Sequence, residues 1–99
     1  MKILTALAAL TLISAPANAE SVSAGIARIQ APKIQQKLGI ALAAVEAGDM
    51  TTACSETRTS AMLLRWNISG FYEMDEELGK AKTRLLQATD TFLRGYCTY

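Results

Sequence analysis

Residues 54–71 read CSETRTSAMLLRWNISGF. Within them Cys54, Thr57, Ala61, Leu64, Ile68 and Phe71 recur at intervals of 3, 4, 3, 4 and 3. That spacing brings side chains onto one face of an α-helix. Clean two-residue alternation is missing and β-branched residues do not cluster, so the stretch does not read as a strand. A helix with such a stripe packs against an antiparallel neighbour. A second row, Thr59, Leu63, Trp66 and Gly70, runs along another face, flanked by Arg58, Met62 and Arg65. It supports two readings. Another helix could dock there, making residues 54–71 the central helix of a bundle, and this is the more economical reading for a small core. Alternatively Arg58, Met62, Leu63 and Trp66 form a partner-binding face, because Trp, Met and Arg are enriched at interface centres.

The only two cysteines, Cys54 and Cys97, stand 43 positions apart. A reactive thiol pair is usually closely spaced, as in C-x-x-C, so a structural disulfide is expected. In an antiparallel hairpin, bonded residues lie at equal distances from the apex, since each helix advances about 1.5 Å per residue. The midpoint falls between Asp75 and Glu76. The helix is therefore expected to run past the local stop signal at residues 67–70, to about Tyr72, with the turn at residues 73–75. Glu76 and Glu77 then open the last helix, where carboxylates favour the positive end of the dipole, and Arg94 lies near its other end. Leu78, Leu85, Thr89, Phe92 and Tyr96 form its expected inward stripe.

Upstream, Gly48-Asp49 reads as a helix joint, with Gly48 left-handed and Asp49 capping the next helix. Residues 32–47 carry Ile34, Leu38, Ala41 and Val45 at 4, 3 and 4. Pro32 lacks an amide donor and pushes Ala31 towards extended geometry, so the sequence predicts a break there. Residues 22–30, with Val22, Ile26 and Ile29 on one face, would form a short extra N-terminal helix. The expected fold is all-α: a small up-and-down bundle of three main helices in a single domain, residues 20–99, closed by one disulfide.

Residues 1–19 read as a cleavable signal peptide. Lys2 gives a positive start, residues 3–13 an apolar run, and Ala17-Asn18-Ala19 a small-x-small cleavage site. Eleven residues are too few for a hydrocarbon core that needs about 20. The expected location is the periplasm or the extracellular space, where a disulfide persists. Without Lys2 the chain holds nine basic and nine acidic residues, a neutral balance with no electrostatic footprint for nucleic acid. Membrane association is likewise not expected once the leader is removed.

The sequence contains no histidine. Ser-His-Asp and Cys-His catalysis and the usual zinc sites therefore have no residues to build on. No catalytic residue, metal ligand or cofactor is assigned. Glu73, Asp75, Glu76 and Glu77 lack the calcium-loop order, and a solvated helix start accounts for them. Arg28, Lys33 and Lys37 read as a mild basic stripe on solvated surface. The expected function is a small exported, non-enzymatic helical protein acting on a protein partner. The alternative is a membrane-active or lipid-binding amphipathic helical protein.

Overall fold

A computed structural model describes residues 20–98. The expected signal peptide, residues 1–19, lies outside the described residues. Three antiparallel helices follow in order: α1 (Val22–Glu46), α2 (Met50–Met74) and α3 (Glu76–Tyr96). Both outer helices pack on α2, and no Cα of α1 comes within 8 Å of a Cα of α3. The all-α bundle and its cysteine pair match the sequence expectation, and α2 is its central helix.

The joints form where their chemistry predicts. Gly48 has φ +77°, the left-handed conformation that costs a glycine least. The amide of Asp49 donates to the Ala44 carbonyl at 2.8 Å and that of Gly48 to the Val45 carbonyl at 3.1 Å. These two bonds satisfy carbonyls that the end of α1 would otherwise leave open. Asp49 caps α2 by accepting from the Thr52 amide at 3.1 Å. Hydrogen bonding to Thr52 also holds the Asp49 carboxyl below its usual range. At the second joint one residue serves two helices. Asp75 ends α2 and caps α3, accepting from the Leu78 amide at 2.9 Å. The turn thus sits at the disulfide midpoint, and α2 runs two residues beyond Tyr72.

Pro32 does not divide the first region. It lies inside a continuous 25-residue helix, so the expected short extra helix at residues 22–30 is the first part of α1. The physical reason is packing on both sides of the proline. Ala27 and Ile34 are buried and Ala31 is partly buried against α2. Their burial holds the helix together against the lost hydrogen bond. Both Pro32 and Arg28, whose carbonyl loses its donor, are exposed, so water can satisfy that carbonyl.

In the second part of α1, Ile34 and Ala41 are buried and Leu38 is partly buried as the spacing predicts, while Val45 is exposed; the first part differs more from expectation. Val22, Ile26 and Ile29 share one face, but that face points outward. Ala24, Ala27, Ile34, Ala41 and Ala44 face the core instead. Close approach explains the choice. A Cβ on Gly70 would collide with the Ser23 carbonyl and stand 2.9 Å from the Ala27 Cβ. At that separation alanine fits and isoleucine does not.

On α2, Cys54, Thr57, Ala61, Leu64 and Phe71 are buried and Ile68 is partly buried, as the spacing predicts. Phe71, Ile34 and Leu64 are among the largest fully buried side chains. Each contributes about 1.5–3 kcal/mol of hydrophobic stabilisation. On α3, Thr89 is buried and Leu78, Leu85 and Phe92 are partly buried. Tyr96 departs from the expected stripe; it is exposed and stacks beside Phe92 at a centroid distance of 5.3 Å. The Cys54–Cys97 bond joins the start of α2 to the end of α3, with S–S 2.08 Å and Cα–Cα 5.9 Å.

Two measurements check this packing. Gly70→Ala should lower stability by about 2 kcal/mol or more, because the Ser23 backbone has to move. A thermal melt equal to wild type would show that α1 does not approach α2 so closely. Reducing the disulfide should cost about 4 kcal/mol in a denaturant titration, the loop-entropy value for a separation of 43 residues. An unchanged midpoint would remove the bond from the stability of the fold.

Candidate interaction surface

The row Thr59, Leu63, Trp66 and Gly70 divides between the two readings that the sequence allows. Leu63 and Gly70 are buried; Leu63, 8 % exposed, belongs to a core cluster with Ala27, Ile34, Leu64 and Phe71. Trp66 points the other way and is 69 % exposed, with Met62 also exposed one turn before it. The packing of Gly70 against Ser23 and the Lys37–Glu56 ion pair at 3.4 Å fix the register of α1 against α2. That register sets Trp66 level with residues 27–31 of α1.

The flanking cations are turned towards α3. The Arg58 guanidinium donates to the Thr98 carbonyl at 2.9 Å. Arg65 donates to both carboxylate oxygens of Asp90 at 3.1 Å. Of the four residues proposed for a partner face, Met62 and Trp66 are therefore exposed together, Arg58 reaches the C-terminal segment, and Leu63 is core. Arg58 also borders a cleft of about 300 Å³ beside the disulfide, with Thr51, Tyr96 and Thr98.

Sequence reasoning did not anticipate an apolar groove over the first half of α2. Leu38, Leu42 and Val45 of α1 form one wall and Ala88 and Phe92 of α3 the other, with Thr57 between them. Its volume is about 300 Å³. The groove exists because residues meeting here are short: Ala41, Thr57, Ala88 and Thr89 cannot fill the space between helices whose Cα atoms stay more than 8 Å apart. Towards the other end, Ile34, Leu64 and Phe71 with Leu78 and Leu85 close it. The signal lay in those small residues, recurring level with one another on three helices.

The acidic residues around the second turn are occupied structurally. Glu73 accepts from the Ser21 hydroxyl. Asp75 caps α3, and Glu76 and Glu77 pair with Lys80 at 3.8 and 3.4 Å. Among the described residues, no three His, Cys, Asp or Glu side chains gather to hold a metal ion. No described helix is long and apolar enough to cross a membrane. No known family model, curated protein or solved structure matches the chain.

Leu63 and Trp66, three positions apart, should respond unequally to truncation. Leu63→Ala should cost about 2–4 kcal/mol, as a buried leucine does. Trp66→Ala should change stability by no more than about 0.5 kcal/mol. Chemical denaturation of the two variants checks the pair, and a large loss at Trp66 would place its ring in the core.

Proposed function

We propose that this chain is exported through its first 19 residues and acts in the periplasm or outside the cell as a non-enzymatic binding module for another protein. The observation that carries the reading is Trp66. The ring sits on the one helix that both neighbours bury, yet it faces water beside Met62. Leaving an indole so exposed forfeits roughly 3 kcal/mol that burial would supply. A partner that covers Trp66 and Met62 would recover that stabilisation, and aromatic and Met residues are the types enriched at interface centres. The neutral mature charge and the residues available for chemistry support binding over nucleic-acid recognition or catalysis.

The test is capture from an envelope extract by the mature chain and by its Trp66→Ala variant. Wild type should retain a defined protein, and the variant should retain at least tenfold less while melting at the same temperature. Capture no greater than that of an unrelated helical control, or equal capture by both forms, would contradict the reading.

A second reading, an apolar-ligand carrier, is favoured by the groove between α1 and α3. Its uncharged lining suits an alkyl chain, with Leu42 and Phe92 on opposite walls. A fluorescent polyene fatty acid should then bind to wild type and not to Ala41→Phe, whose ring fills the groove. Absence of binding by wild type removes this reading.

A further inference from the structure

The outward face of α1 is more regular than its fold requires. Val22, Ile26, Ile29, Lys33, Gln36 and Ile40 recur at 4, 3, 4, 3 and 4, and all six are exposed. Val22 and Ile29 are 80 % and 76 % exposed. Isolated surface apolar residues need no explanation, but four in one heptad-spaced row form the seam of a helix that lacks its partner. The row spans about 27 Å, or five turns. Trp66 stands level with its middle, so the seam and the Trp66 surface occupy the same stretch of the α1–α2 pair.

Charge indicates what would cover it. Between Glu20 and Glu46, α1 carries Arg28, Lys33 and Lys37 and no acidic residue. Arg28 pairs with Glu20 at 2.9 Å and Lys37 with Glu56 at 3.4 Å. Lys33, on the seam itself, has no ion-pair or hydrogen-bond partner among the described residues. A second copy of α1 laid on this seam, in either direction, would bring a further set of the same three cations against the first. Its only acids stand at the two ends. A like-charged pairing of that kind is disfavoured. A helix with an apolar row and a carboxylate opposite Lys33 meets both requirements, and a single polar residue in an apolar seam fixes its register.

We propose that α1 docks an amphipathic, acidic helix of another protein lengthwise along Val22, Ile26, Ile29 and Ile40, with a partner Asp or Glu paired to Lys33. This rests on the reading of the chain as a binding module and names the class of partner and the surface that receives it. Helix-in-groove and helix-on-helix recognition both work through such spaced anchors.

The experiment uses the full chain, made in the cell that naturally produces it, with Ile29 replaced by the photo-reactive p-benzoylphenylalanine. Irradiation followed by mass spectrometry identifies what is joined. The expected adduct is a segment of another protein with apolar residues at intervals of three and four and a carboxylate within about one turn of the linked site. Lys33→Glu in the same background should reduce the adduct at least tenfold, while Lys33→Arg retains it and both melt as wild type does. An adduct with a second copy of this chain, with lipid, or with a segment lacking acids overturns the proposal, as does an adduct indifferent to Lys33→Glu. If the extract experiment with Trp66→Ala succeeds and Ile29 yields no adduct, the α1 seam is wrong and the binding module stands. If both fail, the module reading falls with it.

Discussion

Everything in this bundle depends on α2 burying two separate sides at once. The backbones of its neighbours stay more than 8 Å apart at every Cα, so each relies first on α2, and the two meet only through side chains around the core. On the side towards α1, Gly70 lies against Ser23 and Ala27, and Leu63, Leu64 and Phe71 share a core cluster with Ala27 and Ile34. Towards α3 a second cluster, Cys54, Ala61, Leu93 and Cys97, is joined by polar and covalent links. Arg65 grips Asp90, the Tyr72 ring lies over Gly79, and a covalent bond clamps Cys54 to Cys97. The asymmetry has a reason. The turn between α2 and α3 holds one end of their hairpin, but α3 pairs with α2 less extensively than α1 does. A disulfide at the far end offsets that deficit in a chain whose core is small.

The same arrangement explains what the surface is free to do. Helices that converge on a shared support, and not on one another, leave space wherever their facing residues are short. The groove beside Thr57 is that space, and it closes as soon as Ile34, Leu64, Phe71 and Leu85 come level. The outer faces of α1 and α2 take no part in the core, so a row of apolar residues there needs another account. Val22, Ile26, Ile29, Met62 and Trp66 are all exposed, and they include the largest ring in the chain.

Much of this was legible in the residues. The α2 stripe could be read because its spacing is regular over 18 residues and its apolar positions alternate with strongly polar ones. The second turn could be located from the cysteine midpoint, a geometric argument that overrode the local stop signal at residues 67–70. Gly48 and Asp49 announced the first turn because few residues can do what each does there. The orientation of the first part of α1 was not legible, for a physical reason, although Ile34, Leu38 and Ala41 further along turn inward as their spacing predicts. Hydropathy ranks valine and isoleucine above alanine as core residues, but beside Gly70 the two helices approach too closely for any but the smaller side chains. The cost of Pro32 was similarly outweighed by burial that no local rule contains. At the candidate surface, the sequence set Leu63 and Trp66 in one row of α2. It could not divide Leu63 from Trp66, because positions three apart differ by little on a helical wheel and only packing decides which one turns inward.

If α2 is the shared support, the helices should not open as equals. Native-state hydrogen exchange of the oxidised chain, followed across a range of denaturant, measures this directly. The amides of α2 around Leu64 and Asn67 should exchange only through global unfolding, while those of α1 reach exchange through a smaller opening that leaves α2 and α3 protected. If α2 exchanged faster than either neighbour, or if α1 and α3 stayed protected while α2 opened, the central helix would not be what holds this fold together.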